Sequence, residues 1–352
     1  MYVLIAILMF GVLIFVHELG HFLAAKKLDV QVNEFSICMG PAIVKKQVGE
    51  TLYALRCIPV GGYCAMEGED EESENPRAFT SKSWWKRVII LVAGSFMNYL
   101  TGLLVLVILF SQTAAVATPK ITAFMDNCPL EGVNALQVGD ELYRIDGRRV
   151  YTYNDVSLLL GRNDAGVYDL TVLRSGQKVE LRSFEMKQRM YPDESGGEQL
   201  RYGLYFGTEA MTPGLVLKTA WNTGLDFARL VWMSLGDLVS GKVSVREMSG
   251  PVGIVSTVAE VGNEAETVAD GLLNVFYLLA FIAINLAVMN MLPIPALDGG
   301  RIALLLIGTV FTALTGKKIP SKYEGYLNAA MLVLLLGFMA VITFKDIWTL
   351  IF

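Results

Sequence analysis

Long apolar runs constrain this chain more than any other feature of its sequence. Three of them approach the roughly 20 residues that a helix needs to cross a bilayer, namely residues 88–110, 271–297 and 325–344. A fourth, residues 1–25, lacks the basic n-region and the cleavage site of a signal peptide, so it is expected to be a retained span. Residues 302–314 are shorter and are expected to continue the third span or to lie in the interior. The sequence thus predicts a polytopic α-helical membrane protein with about four transmembrane helices.

The composition agrees with a membrane protein and excludes a nucleic-acid-binding protein. Hydrophobic residues make up 53% of the chain and charged residues 18%, a balance too apolar for ordinary soluble domains. The 29 Lys and Arg stand against 34 Asp and Glu and form no long basic block, so an electrostatic footprint for nucleic acid is missing. The cysteines show neither CxxC pairing nor the density of a disulfide scaffold and are expected to be structural: Cys38, Cys57, Cys64 and Cys128.

Basic residues near the span ends predict the orientation, because loops rich in Lys and Arg stay in the cytoplasm. Residues 29–87 are placed there, since basic residues cluster in this segment and at the adjoining end of the first span: Lys26, Lys27, Lys45, Lys46, Arg77, Lys82, Lys86 and Arg87. The N-terminus and residues 111–270 are then outside. The third crossing returns the chain to the cytoplasm at Lys317, Lys318 and Lys322, and Lys345 is an exception to the rule.

Residues 52–66 form a shorter apolar segment between the first two spans. Pro59 and the pair Gly61-Gly62 interrupt it, so it is too short and too broken for a spanning helix. From these residues alone, a hairpin in the cytoplasm is the default. A hairpin that re-enters the membrane is the alternative, since non-helical backbone is tolerated at that depth where protein or water covers it.

The segment expected outside the membrane has two parts. Residues 118–207 alternate apolar and polar residues in short runs between turns such as Asp146-Gly147, which predicts a small β-rich domain. Residues 213–262 begin with an amphipathic helix, whose apolar side carries Leu217, Trp221, Leu225, Ala228, Trp232 and Leu235. This helix is expected either to lie on the membrane surface or to pack on the β-rich domain.

The chain has two histidines, and both lie in the first apolar run. His17-Glu18-Leu19-Gly20-His21 fits the pattern H-E-x-x-H, in which two imidazoles one helical turn apart bind Zn²⁺ while the glutamate reaches its water. Ionisable groups inside a span are costly unless they are paired, so they indicate a function. The alternative is that these residues hold neighbouring helices together through hydrogen bonds.

A catalytic zinc ion usually has three protein ligands, so a third ligand is needed. Asp298 is the best-placed carboxylate within the apolar runs. Pro293 and Pro295 interrupt the helix before it, and the following pair Gly299-Gly300 permits close backbone approach. The alternative is that Asp298 caps a helix that starts at Gly299, but the need for an acidic ligand favours zinc binding.

These motifs resemble those of the bacterial site-two proteases, which are intramembrane zinc metalloproteases. Residues 17–21 are similar to the zinc helix of that family, and residues 290–300 are similar to its N-x-x-P-x-P-x-L-D-G motif. Residues 58–63, 93–98 and 249–253 resemble further signatures of the family. The resemblance therefore runs through nearly the whole chain.

The resemblance implies roles for particular residues and a class of substrate. It implies that His17, His21 and Asp298 bind zinc and that Glu18 is the catalytic base. It assigns auxiliary roles near the substrate to the motif residues Asn290, Pro293, Pro295, Gly61 and Gly62. It further implies a membrane-embedded hairpin at residues 52–66 that pairs with the substrate, in an enzyme of the bacterial inner membrane. Its substrates would be single-span proteins, such as trimmed anti-sigma factors or remnant signal peptides.

The β-rich domain resembles a single extracytoplasmic PDZ domain. Residues 135–142 followed by Ile145-Asp146-Gly147 are similar to the usual pattern, whereas residues 127–133 depart from it. His17 lies about 24 Å along the first helix at 1.5 Å per residue, which places the zinc towards the cytoplasmic side. The domain is therefore expected to control access by substrate size, with recognition of a peptide terminus as the alternative.

Two other classes of protein compete with a protease. A membrane-anchored PDZ scaffold would bind peptides without cutting them, and it would need neither Glu18 nor Asp298. A metal transporter would use intramembrane His and Asp as a pathway, but it should carry further polar residues along its other spans, and few are present.

Overall fold

The computed structural model describes residues 1–69, 73–192, 197–244, 248–317 and 321–351. The chain divides into two compact units. One unit, Met1–Val105 together with Phe227–Phe352, consists of helices and one β hairpin. The other unit, Leu106–Asp226, contains most of the strands.

The long helices follow the apolar runs of the sequence. We call the second unit, Leu106–Asp226, the β unit. The helices that lie wholly or partly in the first unit are, in chain order, α1 (Tyr2–Lys27), α2 (Trp84–Ser111), α4 (Pro213–Val239), α5 (Pro251–Asn263), α6 (Val268–Asn290), α7 (Asp298–Thr315) and α8 (Ser321–Ile351). The end of α2 and the beginning of α4 belong to the β unit. Among the described residues, five helices are long and apolar enough to cross a membrane: α1, α2, α6, α7 and α8. The protein is therefore a multi-pass membrane protein, and it has one candidate span more than the predicted four.

The additional candidate arises from a break between α6 and α7. The third apolar run does not continue as one helix to residue 297, and residues 302–314 belong to a separate helix instead of continuing that span. Nor does this helix lie in the interior, because only 17% of its apolar window is buried. The physical reason is that Pro293 and Pro295 lack the N–H groups of a continuous helix, while Ala296 adopts a left-handed φ of 76°.

Small residues let α1 pack closely against its neighbours. Tyr2 of α1 lies over Gly262 of α5, where an added Cβ would come within 2.5 Å of the ring. An added Cβ at Gly20 would clash with the carbonyl oxygen of Ala93 on α2. Such contacts are the usual basis of helix association in lipid, where burial of apolar surface gives no driving force.

A hairpin is present, but its predicted bounds of residues 52–66 are wrong, because these residues form a single strand that pairs with the segment before them. Its strands β1 (Val32–Val48) and β2 (Thr51–Met66) pair with each other. Residues 34–37 of β1 lie between two segments of β2 and pair with both, residues 62–65 on one side and residues 52–55 on the other. The end of β2 forms one edge of the resulting sheet.

A buried core joins this hairpin to α1 and α2. Phe35 and Cys64 of the hairpin pack in one cluster with Ile90 and Leu91 of α2 and Ala25 of α1. The four cysteines are free thiols. The core fixes the hairpin beside the helix that carries both histidines.

Arg56 links separate parts of the hairpin through its guanidinium group. It donates to Glu34 Oε1 at 2.5 Å, to the Tyr63 hydroxyl at 2.7 Å and to Ser36 Oγ at 2.9 Å. It also donates to the Gly40 carbonyl oxygen at 2.6 Å. The charge is therefore paired and hydrogen-bonded within the hairpin, as a partly buried charge requires.

The β unit confirms the prediction of a β-rich domain. Its main sheet consists of β3 (Ala115–Phe124), β4 (Glu141–Ile145), β5 (Arg148–Arg149), β6 (Val167–Arg174), β7 (Gln177–Glu185) and β10 (Leu204–Ala210). The order in that sheet is β10-β3-β4-β6-β7, with β5 paired to β4. The unit also contains the separate strand pair β8 (Arg189–Pro192) and β9 (Glu198–Arg201) and helix α3 (Tyr153–Leu160). Inside it, the fully buried Asp140 accepts hydrogen bonds from Arg174 at 2.9 and 2.8 Å.

Helix α4 has two apolar faces, and the tryptophans of the predicted one are exposed. Trp221 and Trp232 of the predicted stripe are 53% and 57% exposed, whereas Ala220 and Val231 on another face are buried. The Asn222 side chain donates to the Tyr151 carbonyl oxygen of the β unit at 3.4 Å. Packing on the β-rich domain is thus observed for the first part of the helix, and contact of its exposed stripe with the membrane surface stays a prediction.

Close packing between α1 and α2 gives a stability prediction. Gly20→Ala should lower the free energy of unfolding by about 1–3 kcal/mol, because the new methyl group overlaps the Ala93 carbonyl oxygen. Gly11→Ala on the same helix is the matched control, since an added Cβ there meets nothing within 4 Å. Gly11→Ala should raise the free energy of unfolding by up to about 1 kcal/mol, because alanine favours a helix more than glycine does. Unfolding of both variants in mixed micelles measures the difference, and equal stabilities would contradict this packing.

Candidate metal centre

Three side chains converge where the break after α6 meets α1. His17 Nε2 and His21 Nε2 are 3.2 Å apart. Asp298 Oδ2 lies 3.2 Å from His17 Nε2 and 3.4 Å from His21 Nε2. Ligands at the usual zinc distances of about 2.0–2.1 Å in tetrahedral geometry are separated by roughly 3.3–3.4 Å. The triangle therefore has the dimensions of three zinc ligands.

Hydrogen bonding fixes the tautomer of His21 and leaves Asp298 Oδ2 without a donor. His21 Nδ1 donates to the Ile90 carbonyl oxygen at 2.8 Å, so its proton is on Nδ1 and the Nε2 lone pair is free. Asp298 Oδ2 is buried and has no hydrogen-bond donor among the described residues. An uncompensated carboxylate oxygen in an apolar surrounding is costly. Two imidazole nitrogens and one carboxylate oxygen suit Zn²⁺.

The break between α6 and α7 presents the carboxylate. Asp298 is the first residue of α7 and Leu297 is its N-cap, so the alternative that Asp298 serves as the cap is wrong. Cβ atoms at Gly299 and Gly300 would clash with backbone of residues 291–295. The glycine pair therefore permits the close approach that the sequence predicts, and it lets the chain fold tightly before α7.

A cavity of about 450 Å³ opens beside the triangle. Glu18 and Asn290 line it together with His17, His21 and Asp298. The structure thus brings together the predicted ligands, the predicted base and one predicted auxiliary residue in one space.

The other predicted auxiliary residues lie around this space. Pro293 and Pro295 are in the break that precedes α7, where they end the preceding helix. Gly62 lies beside Glu18, since an added Cβ would be 3.6 Å from Glu18 Cγ. Gly61 adopts a φ of 83° that favours glycine.

Gly94 on α2 is a site residue that sequence reasoning gave no role. A Cβ at this position would clash with His21 Nε2 and would lie 2.8 Å from His17 Cε1. The imidazole rings therefore fit against α2 only because this residue lacks a side chain. One sequence feature could have indicated this role, because Gly94 belongs to residues 93–98, which resemble a family signature.

Ion pairs outside the spans tie the hairpin turn to the end of α1. Glu50 accepts from Lys26 at 2.6 Å and from Arg77 at 2.5 Å. The hydrogen bond from Arg77, followed by that from Lys26, lowers the pKa of the Glu50 carboxyl to about 2. The carboxylate thus stays ionised at neutral pH, and the contact stabilises the hairpin until the pH falls towards that value.

Comparison with known proteins agrees with this geometry. A family profile described as Peptidase family M50 matches residues 5–338. A protein of Clostridium acetobutylicum whose name describes a zinc metalloprotease is 35% identical over 98% of this chain and 97% of its own length. A similarly named protein of Clostridium perfringens is 34% identical over 99% and 98%. The regulator of sigma-W protease RasP of Bacillus subtilis is 27% identical over 97% of both chains.

The contact at Gly94 gives a prediction about metal content. Gly94→Ala should weaken zinc binding by about 10- to 100-fold, the range typical of lost support around a metal ligand, because the methyl group displaces His21. Gly337→Ala on α8 makes the same chemical change where nothing lies within 4 Å, and it should leave zinc binding unchanged. Competition with a zinc chelator on the purified proteins measures both affinities. Equal affinities would show that the rings do not lie against Gly94 as described.

Proposed function

The chain belongs to peptidase family M50 and is a zinc metalloprotease, and from that premise we propose that it hydrolyses peptide bonds within the transmembrane segments of single-span proteins. The observation that carries the proposal is the triangle of His17, His21 and Asp298 with Glu18 in one cavity among apolar helices. A scaffold would need neither Glu18 nor Asp298, and a transporter could use the His and Asp side chains but would need no proton acceptor such as Glu18 beside them.

We assign the chemistry to four side chains. His17, His21 and Asp298 would hold the zinc ion, which supplies Lewis acidity and lowers the pKa of a water molecule towards about 7. Glu18 then accepts the proton of the attacking water and delivers it to the leaving nitrogen. Its position one residue after His17 on the same helix keeps its carboxylate in the same cavity as the ligand atoms.

Asn290 is proposed to assist at the carbonyl group of the substrate. It is the last residue of α6 and lines the cavity. Its side-chain amide can donate a hydrogen bond to the oxygen that gains negative charge or to the backbone of the substrate. The break directly after it prevents α6 from filling the cavity.

The edge of β2 is proposed to hold the substrate as a strand. A helical peptide bond is hidden by its own hydrogen bonds, so the substrate must unwind before it is cut. Residues 63–66 line the cavity, and Gly62 brings the hairpin backbone beside Glu18. Strand addition at this edge would satisfy the unwound backbone of the substrate.

The hairpin is proposed to re-enter the membrane, as the family resemblance implies. Its outer surface is apolar, with more than a third of each of these side chains exposed: Ile37, Met39, Ile43, Val44, Leu55 and Ile58. A surface of this kind is unfavourable in water but suits lipid. The polar groups of Arg56 and Glu34 are paired within the hairpin, as that depth demands.

We infer that the β unit is an extracytoplasmic PDZ-like domain that limits access by size. The orientation follows from the basic residues at the C-terminal end of α1, Lys26 and Lys27, which favour the cytoplasm. The zinc site is then nearer the cytoplasmic side of a bacterial inner membrane. The name of the Bacillus subtilis relative, regulator of sigma-W protease, links that protein to the regulation of a sigma factor. We therefore propose trimmed, single-span anti-sigma factors, the class that the family resemblance implies, as substrates.

The role of Glu18 gives the central activity prediction. Glu18→Gln should lower the rate of cleavage by at least about 100-fold, because an amide cannot accept the proton of the water. Zinc content should stay at the wild-type level, because Glu18 is not a ligand. Glu260→Gln on α5 is the matched control and should leave both quantities unchanged. Full activity of Glu18→Gln would show that another group is the base.

The proposed role of the β unit gives a prediction about selectivity. Deletion of residues 118–207 should leave cleavage of a trimmed substrate within about threefold of wild type and should permit cleavage of an untrimmed one, because the domain acts only on entry. The same deletion combined with Glu18→Gln controls for other proteases and should be inactive. Loss of cleavage of the trimmed substrate, with zinc retained, would instead identify the domain as a required receptor.

A further inference from the structure

Glu69 and Arg301 form an ion pair in the wall of the catalytic cavity. Arg301 Nη1 donates to Glu69 Oε1. Glu69 follows the end of β2, and Arg301 lies in the first turn of α7, three residues after Asp298. Their side chains are 13% and 33% exposed. The pair therefore joins the end of β2 to the helix that carries Asp298, and the proposed chemistry uses neither residue.

Glu69 also occupies a backbone hydrogen-bonding position at the end of β2. Its Oε2 accepts from the Met66 N–H at 3.4 Å. The next N–H, that of Glu67, donates to the Gln31 carbonyl oxygen at 2.9 Å, on the side of β1. Because successive N–H groups of a strand point to opposite edges, the Met66 N–H points to the free edge. The Glu69 carboxylate thus lies where the carbonyl oxygen of an added strand would lie.

We propose that the Glu69–Arg301 pair blocks the edge of β2 at Met66, so that an added substrate strand must end there. We call the pair the stop. By fixing where the substrate strand ends, it selects the peptide bond that is cut. The proposal rests on the proposed function, since it takes the edge of β2 as the site of strand addition. An added strand can pair along this edge as far as Cys64, but at Met66 it meets the Glu69 carboxylate. Arg301 holds the carboxylate in place and fixes it relative to the helix of Asp298.

The position of the stop relates directly to the catalytic base. Gly62 lies beside Glu18, and Met66 is four residues further along the strand. At about 3.3 Å per residue this is roughly 13 Å. A strand that ends against Glu69 therefore presents one particular residue opposite Gly62. Without the stop, the substrate strand can shift by two residues along β2. A shift of two residues keeps the same alternate set of side chains facing the cavity.

The test maps the bonds that are cut. Full-length, zinc-loaded enzyme is incubated with a single-span substrate, and the products are identified by mass spectrometry. Glu69→Ala should add cleavage two residues away from the wild-type bond, to at least about a fifth of the product, with zinc content unchanged. Glu67→Ala is the matched control, because its carboxylate bonds to Asn33 and Ser73 instead. It should cut only at the wild-type bond.

A second variant keeps the proposal testable if Glu69→Ala loses zinc or does not fold. Glu69→Gln retains an oxygen acceptor for the Met66 N–H but weakens the pair with Arg301, so it should show the displaced product in a smaller fraction. Cleavage at the wild-type bond alone, in a Glu69 variant that retains zinc, would overturn the stop. Absence of cleavage by the zinc-loaded wild type would instead overturn the proposed function, and the stop with it.

Discussion

The architecture of this protein depends on the approach of one carboxylate to two imidazoles inside a bundle of apolar helices. A buried carboxylate oxygen without a donor is unfavourable in such a surrounding, and so is a histidine pair without a partner. A bound cation removes both penalties at once. Gly20 and Gly94 bring α1 and α2 into contact so that the imidazoles are fixed, and the break before α7 brings Asp298 to them.

In the proposed function, the hairpin meets a second requirement that the membrane imposes on a protease. The substrate must be unwound, yet unpaired backbone is not tolerated in lipid. The sheet edge beside Glu18, the proposed base, would offer hydrogen-bonding partners at the place where the substrate loses its own. The internal pairing of Arg56 with Glu34 and Tyr63 keeps the polar groups of the hairpin satisfied without using that edge.

The sequence predicts the parts of this site that follow from fixed spacing or from composition. His17 and His21 are one turn apart on any helix, and an apolar run leaves few carboxylates besides Asp298, so the triangle could be predicted. Pro293 and Pro295 also predict the break before α7, but hydropathy does not show that α7 is a candidate span of its own, because its apolar run, residues 302–314, is short. Gly94 and Glu69 act through contacts with distant parts of the chain, which neither local spacing nor hydropathy reveals.

X-ray absorption at the zinc edge of the purified protein shows whether zinc is bound by two imidazoles and one carboxylate. The geometry predicts only nitrogen and oxygen neighbours at about 2.0–2.2 Å, with the outer-shell signal of two imidazole rings. Cys64 also lines the cavity, so the alternative is specific. A sulfur neighbour at about 2.3 Å would rule out this ligand set, because a thiolate would then replace the Asp298 carboxylate.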